Sequence, residues 1–70
     1  MTQHQKILEY IRRNGSITPM EAIQEIGCTK LATRVGELKR AGYNITGEME
    51  TGTNRWGEKC HYMRYKEEVA

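Results

Sequence analysis

Between Lys30 and Arg40 the chain sets four basic side chains, Lys30, Arg34, Lys39 and Arg40, against one acid, Glu37. Grouped cations neutralise anions, and arginine can also grip a carboxylate, a phosphate or a base edge through paired hydrogen bonds. A second group follows at Thr53, Asn54, Arg55 and Lys59, with the sole tryptophan, Trp56, inside it. Most acids lie elsewhere, at Glu21, Glu25, Glu48, Glu50, Glu67 and Glu68. Net charge is only +2, so the distribution, rather than the total, points to anion recognition.

The composition argues against catalysis. There is no aspartate, and Ser16 is the only serine. A Ser-His-Asp arrangement is therefore impossible, and the Asp-rich sites usual in magnesium-dependent phosphoryl transfer are missing. The seven glycines are scattered and form no phosphate loop. Cys28 and Cys60 lack a CxxC partner, and His61 adjoins Cys60 without zinc-ligand spacing. These read as buried or idle thiols. No metal, cofactor or small-molecule substrate is expected. His4 shares a face with Ile7, Leu8 and Ile11, which suits a partly buried, hydrogen-bonded histidine better than a ligand.

Seventy residues make one domain, so few elements must carry these groups. Thr2-Gln3-His4-Gln5 is a capping box, and Ile7, Leu8 and Ile11 recur at helical spacing. They predict a first helix over about 3–14, stopped at Asn14-Gly15. Ser16-Ile17 is a short extended link, with Ile17 in the core or in a one-bridge strand. In Thr18-Pro19-Met20-Glu21 threonine caps, proline takes the first helical position and glutamate closes the box. A second helix follows over about 19–26, with Ala22, Ile23 and Ile26 as its apolar stripe and Gly27 at its end. Thr29 is expected to cap a third helix over about 30–41, whose core stripe is Leu31, Val35 and Leu38.

After Gly42 the period becomes that of a strand, and about 43–65 reads as a hairpin. Glu50 to Gly57 reads as a long polar loop, and Lys59 to Tyr65 as the returning strand. Its register is open: Cys60 and Tyr62 share one face, Met63 and Tyr65 the other, and a bulge near Gly47 would shift the pairing. Tyr62 is expected to face the core. Disorder is expected only at the Lys66–Ala70 tail. No run of ~20 apolar residues and no secretory leader is present, so no membrane contact and a cytoplasmic location are expected. The expected fold is α+β: residues 1–70 as a single winged helix-turn-helix domain, three helices with a C-terminal β-hairpin wing.

The stretch Gly15 to Ile45 resembles the small winged helix-turn-helix domains common in bacteriophages and prophages. The resemblance rests on Thr18, Pro19, Glu21 and Ala22, on Leu31, Arg34, Val35 and Leu38, and on Gly42 and Ile45. Thr53 to Lys59, with Tyr62 and Tyr65, is similar to the family's wing. It implies a DNA-binding protein of a bacterial host cell, a regulator or an accessory factor in recombination or replication. In one respect the chain departs from the standard bacterial repressor motif. There alanine precedes the turn glycine by about four residues; from Ala22 to Gly27 is five.

Within that frame the face of the third helix opposite its core stripe carries Thr29, Lys30, Thr33, Gly36, Glu37 and Arg40. Thr29, Lys30, Thr33, Arg34 and Arg40, with Arg55 and Lys59 of the wing, are the expected contacts to double-stranded DNA. Arg34 has two readings, base contact or an anchor paired with Glu37 or Glu21. Glu37 also has two readings, accepting from cytosine N4 or, the one expected, pairing with Arg34 or Arg40. The start of the second helix at Thr18 offers amides to a phosphate, weakened by Pro19. Trp56 either folds back as a lid over Tyr43 or Met49, or stands exposed and marks a partner surface. The alternative function is a protein-binding module, or an inhibitor of a host protein, acting through Trp56 and the hairpin. A single domain has a footprint of only ~600–1,000 Å², which leaves room for a homodimer or a larger phage complex.

Overall fold

A computed structural model describes residues 1–68. Helix α1 (Gln3–Asn14) is followed by α2 (Pro19–Glu21), a π-helical turn (Ala22–Ile26), α3 (Leu31–Arg40), and the antiparallel strands β1 (Ile45–Thr53) and β2 (Lys59–Glu67). This is the α+β winged helix-turn-helix. Both capping boxes form: Thr2 Oγ1 accepts from the Gln5 amide and Thr18 Oγ1 from the Glu21 amide, and each box's third residue returns a side-chain bond.

The extra residue between Ala22 and Gly27 explains the π turn. Widening one turn to an i→i+5 bond absorbs one residue without breaking the helix. Here the Gly27 amide donates to the Ala22 carbonyl, and Gly27 takes the left-handed conformation (φ +77°) that ends the segment. The wider turn also rotates the stripe. Ala22 is fully buried and Ile26 half-buried, whereas Ile23, expected in the core, is 47% exposed.

The turn into α3 corrects a second expectation. Cys28 and Leu31 are both buried and hold the turn from either side. Lys30, not Thr29, then occupies the cap position, and no side chain caps the helix.

The core comprises Ile7, Leu8 and Ile11 of α1, Ala22, Cys28, the α3 stripe Leu31, Val35 and Leu38, and Ile17, Ile45 and Tyr65. Each large aliphatic contributes roughly 1.5–3 kcal/mol on full burial. Ile17 exchanges two backbone hydrogen bonds of 2.9 Å with Tyr65. That bridge, and not Tyr62, decides the sheet's inner face: Tyr65 is buried and Tyr62 only half-buried.

The register runs without slip from Ile45↔Glu67 to Thr53↔Lys59, so there is no bulge at Gly47. The strands extend further than expected, and the loop shrinks to Asn54–Glu58. Lys66 and Glu67 also belong to β2, and the Glu68 amide donates to the Asn44 carbonyl at 2.7 Å. The expected disordered tail thus begins inside ordered structure; its last two residues lie outside the described residues.

Candidate nucleic-acid interface

With Leu31, Val35 and Leu38 facing inward, helical phase turns Lys30, Thr33 and Arg40 outward, and all three are exposed. Thr29, freed from capping, is exposed beside them. Glu37 is the one acid on this helix, and its charge is compensated. Arg34 Nη1 donates to Glu37 Oε1 at 2.9 Å, and His4 Nε2 donates to the same oxygen at 2.8 Å. These hydrogen bonds, that of Arg34 first, hold the Glu37 carboxyl below the usual carboxylate range.

Arg34 is therefore an anchor in this structure. Its partner is Glu37, not Glu21, and its Nε also donates to Gln3 Oε1 at 3.1 Å. Gln3 and His4 reach this region from 31 and 33 residues away in the chain. The i,i+3 spacing of Arg34 and Glu37 signalled their pair, but nothing in the chain announced that the first turn of α1 would close over them.

Glu21 serves elsewhere. Its carboxylate accepts from the Thr18 amide and hydroxyl and from Tyr10 Oη. The expected phosphate seat at Thr18 is thus filled by the chain's own anion, and Thr18 itself is buried. Burial, followed by the nearby Glu21 charge, raises the Tyr10 phenol above its ordinary value.

A second arginine, Arg64, ties the wing to the helices. It pairs with Glu50 across the hairpin, donates to Ser16 Oγ at 2.9 Å and lies 3.9 Å from Glu21. Arg12 forms a bidentate pair with Glu67 at 2.9 and 3.0 Å, which lowers the Glu67 pKa through the Arg12 hydrogen bonds. Arg13 pairs with Glu9. Both cations at the end of α1 are thus engaged within the chain.

Arg55, Trp56 and Lys59 lie together at the far end of the hairpin, all exposed. Trp56 is 77% exposed and covers neither Tyr43 nor Met49. The reason is the length of β1, which carries the tip away from Tyr43 before the chain turns. The tip is ordered by Asn54, whose Oδ1 accepts from the Trp56 and Glu58 amides at 2.9 and 3.0 Å. The Gly57 amide closes the turn onto the Asn54 carbonyl, with Gly57 at φ +78°. The fold so presents two separate cationic groups, one on α3 and one on the wing.

Compared with known proteins, residues 2–66 match a family model described as a winged helix-turn-helix domain. No curated protein and no solved structure shows a significant match.

Proposed function

The chain belongs to the winged helix-turn-helix domain family, and from that premise we propose that it binds double-stranded DNA through α3 and the wing. The observation that carries this reading is the state of Glu37. With its carboxylate held by Arg34 and His4, the exposed face of α3 offers a DNA groove Thr29, Lys30, Thr33 and Arg40 with no free acid between them. Lys30 and Thr33, near the start of the helix, suit base edges in the major groove. Arg40 suits a phosphate, and the N–H groups that Arg34 keeps beyond Gln3 and Glu37 suit another. Arg55 and Lys59 suit the backbone or a narrow minor groove.

The role is that of a binding module and not of an enzyme: a regulator, or an accessory factor in recombination or replication, of phage or prophage type in a bacterial cytoplasm. A homodimer or a larger phage complex would supply the additional footprint.

The test is selection of bound duplexes from a random pool at two salt concentrations, with the parent and with Lys30→Ala/Arg55→Ala. The parent should enrich a sequence and lose affinity steeply as salt rises. If the double variant stays folded and binds as the parent does, the surface is wrong. A protein partner for Trp56 and the hairpin then becomes the better reading.

A further inference from the structure

We propose that the wing tip is a base-stacking device, in which Trp56 lays its indole on a nucleobase at a kinked or mismatched step while Arg55 meets the adjacent phosphate. The proposal rests on the DNA-binding reading and adds to it a contact mode and a preference for deformable DNA.

Four observations converge on it. Trp56 is the most exposed large apolar side chain of the described residues. The backbone that carries it is also held in place, since the Trp56 amide is bound by Asn54 Oδ1 and the turn is closed by Gly57. A turn already ordered adds little backbone-ordering cost on binding. The arm is long: nine residues in each strand, at about 3.3 Å per residue, carry the tip roughly 30 Å along the hairpin. Finally, the charge is right for a polyanion. Among the described residues neither Arg55 nor Lys59 enters an ion pair, and the Glu58 carboxylate is turned back towards the Asn54 amide nitrogen.

The surroundings of Trp56 favour a base over a protein partner. A protein hot spot is ringed by further contacts that exclude water. The tip instead offers Thr53, Asn54, Arg55, Gly57, Glu58 and Lys59, none of them a large apolar residue. One π face beside cations is the arrangement that stacks on bases while tracking a phosphate backbone. Insertion between base steps requires unstacking, which is least costly at a mismatched or flexible step.

Because Trp56 is the only tryptophan, its fluorescence reports on the tip alone. The experiment titrates the full chain with two duplexes of one sequence, fully paired or carrying a central mismatch. Trp56→Ala, Trp56→Phe and Arg55→Ala are compared with the parent. The expected result is saturable quenching, stronger binding to the mismatched duplex, and a loss of about 5- to 150-fold for Trp56→Ala. Trp56→Phe should keep most of the affinity. Trp56→Ala should leave the salt slope unchanged, whereas Arg55→Ala lowers it by about one. An unaltered melting temperature of Trp56→Ala excludes a folding effect. Binding with unchanged fluorescence and no loss in Trp56→Ala overturns the stacking proposal and leaves the DNA reading standing. Failure of the parent to bind either duplex at low salt overturns both.

Discussion

Glu37 joins two elements through one oxygen atom. His4 of α1 and Arg34 of α3 both donate to it, so the carboxylate sets how the first turn of α1 lies against the helix proposed to read DNA. Its pKa is depressed in the folded chain, and the sign of the pH effect follows. A carboxyl with a lowered folded pKa stabilises the fold above its unfolded value and loses that contribution as pH falls through the folded value. Glu37→Gln should therefore lower the melting temperature at neutral pH. The gap to the parent should close as the solution is acidified below the usual carboxylate range. The effect will be small, because the pair is partly solvated. Melting curves across that range check it, and a gap independent of pH would count against the assignment.

The hairpin depends on two glycines of β1 that face rings on β2. A Cβ at Gly47 would lie 3.0 and 3.1 Å from the ring of Tyr65 and 2.8 Å from the Met63 methyl. The methyl is a flexible end and can move aside. Tyr65 is buried and bridged to Ile17, so its ring has nowhere to go. At Gly52 the nearest atom is Cε1 of the Tyr62 ring at 3.1 Å, and Tyr62 is only half-buried. Gly47→Ala should thus destabilise by about 1–3 kcal/mol, the usual cost of overpacking, while Gly52→Ala should be nearly neutral. Chemical denaturation of both variants tests the contrast; equal costs would mean that the bridge does not hold Tyr65 against the sheet.

At the scale of the whole molecule, the two cationic groups, one on α3 and one on the wing, should fail in different ways. Lys30 lies at the start of α3, where the proposed docking would bring a side chain to base edges; Lys59 lies at the tip end of β2, opposite Thr53. Removing a base-reading side chain costs discrimination, typically ~1–3 kcal/mol at one base pair. Removing a phosphate contact weakens all sequences alike and lowers the salt slope by about one. Lys30→Ala should accordingly relax sequence preference, and Lys59→Ala should weaken every duplex equally. Competition binding on a panel of single-base variants at several salt concentrations distinguishes them. If both variants lose only uniform affinity, α3 lies along the backbone instead of in the groove.

Local rules acting over a few residues were legible in the chain itself. Thr2 with Gln5 and Thr18 with Glu21 announce their capping boxes, Leu31, Val35 and Leu38 announce the inner face of α3, and Arg34 with Glu37 announces their pair. Each depends on spacings of three to seven residues, which helical geometry converts directly into neighbours. Contacts between distant segments were not legible. Tyr62 and Tyr65 sit on opposite faces of one strand, and nothing local chooses between them; the bridge from Ile17 does. The outward turn of Ile23 required the π turn, and the exposure of Trp56 required the full length of β1. The closure of Gln3 and His4 over α3 required the packing of α1 against it. In each case several arrangements satisfy the local preferences, and only burial of the shared core distinguishes among them.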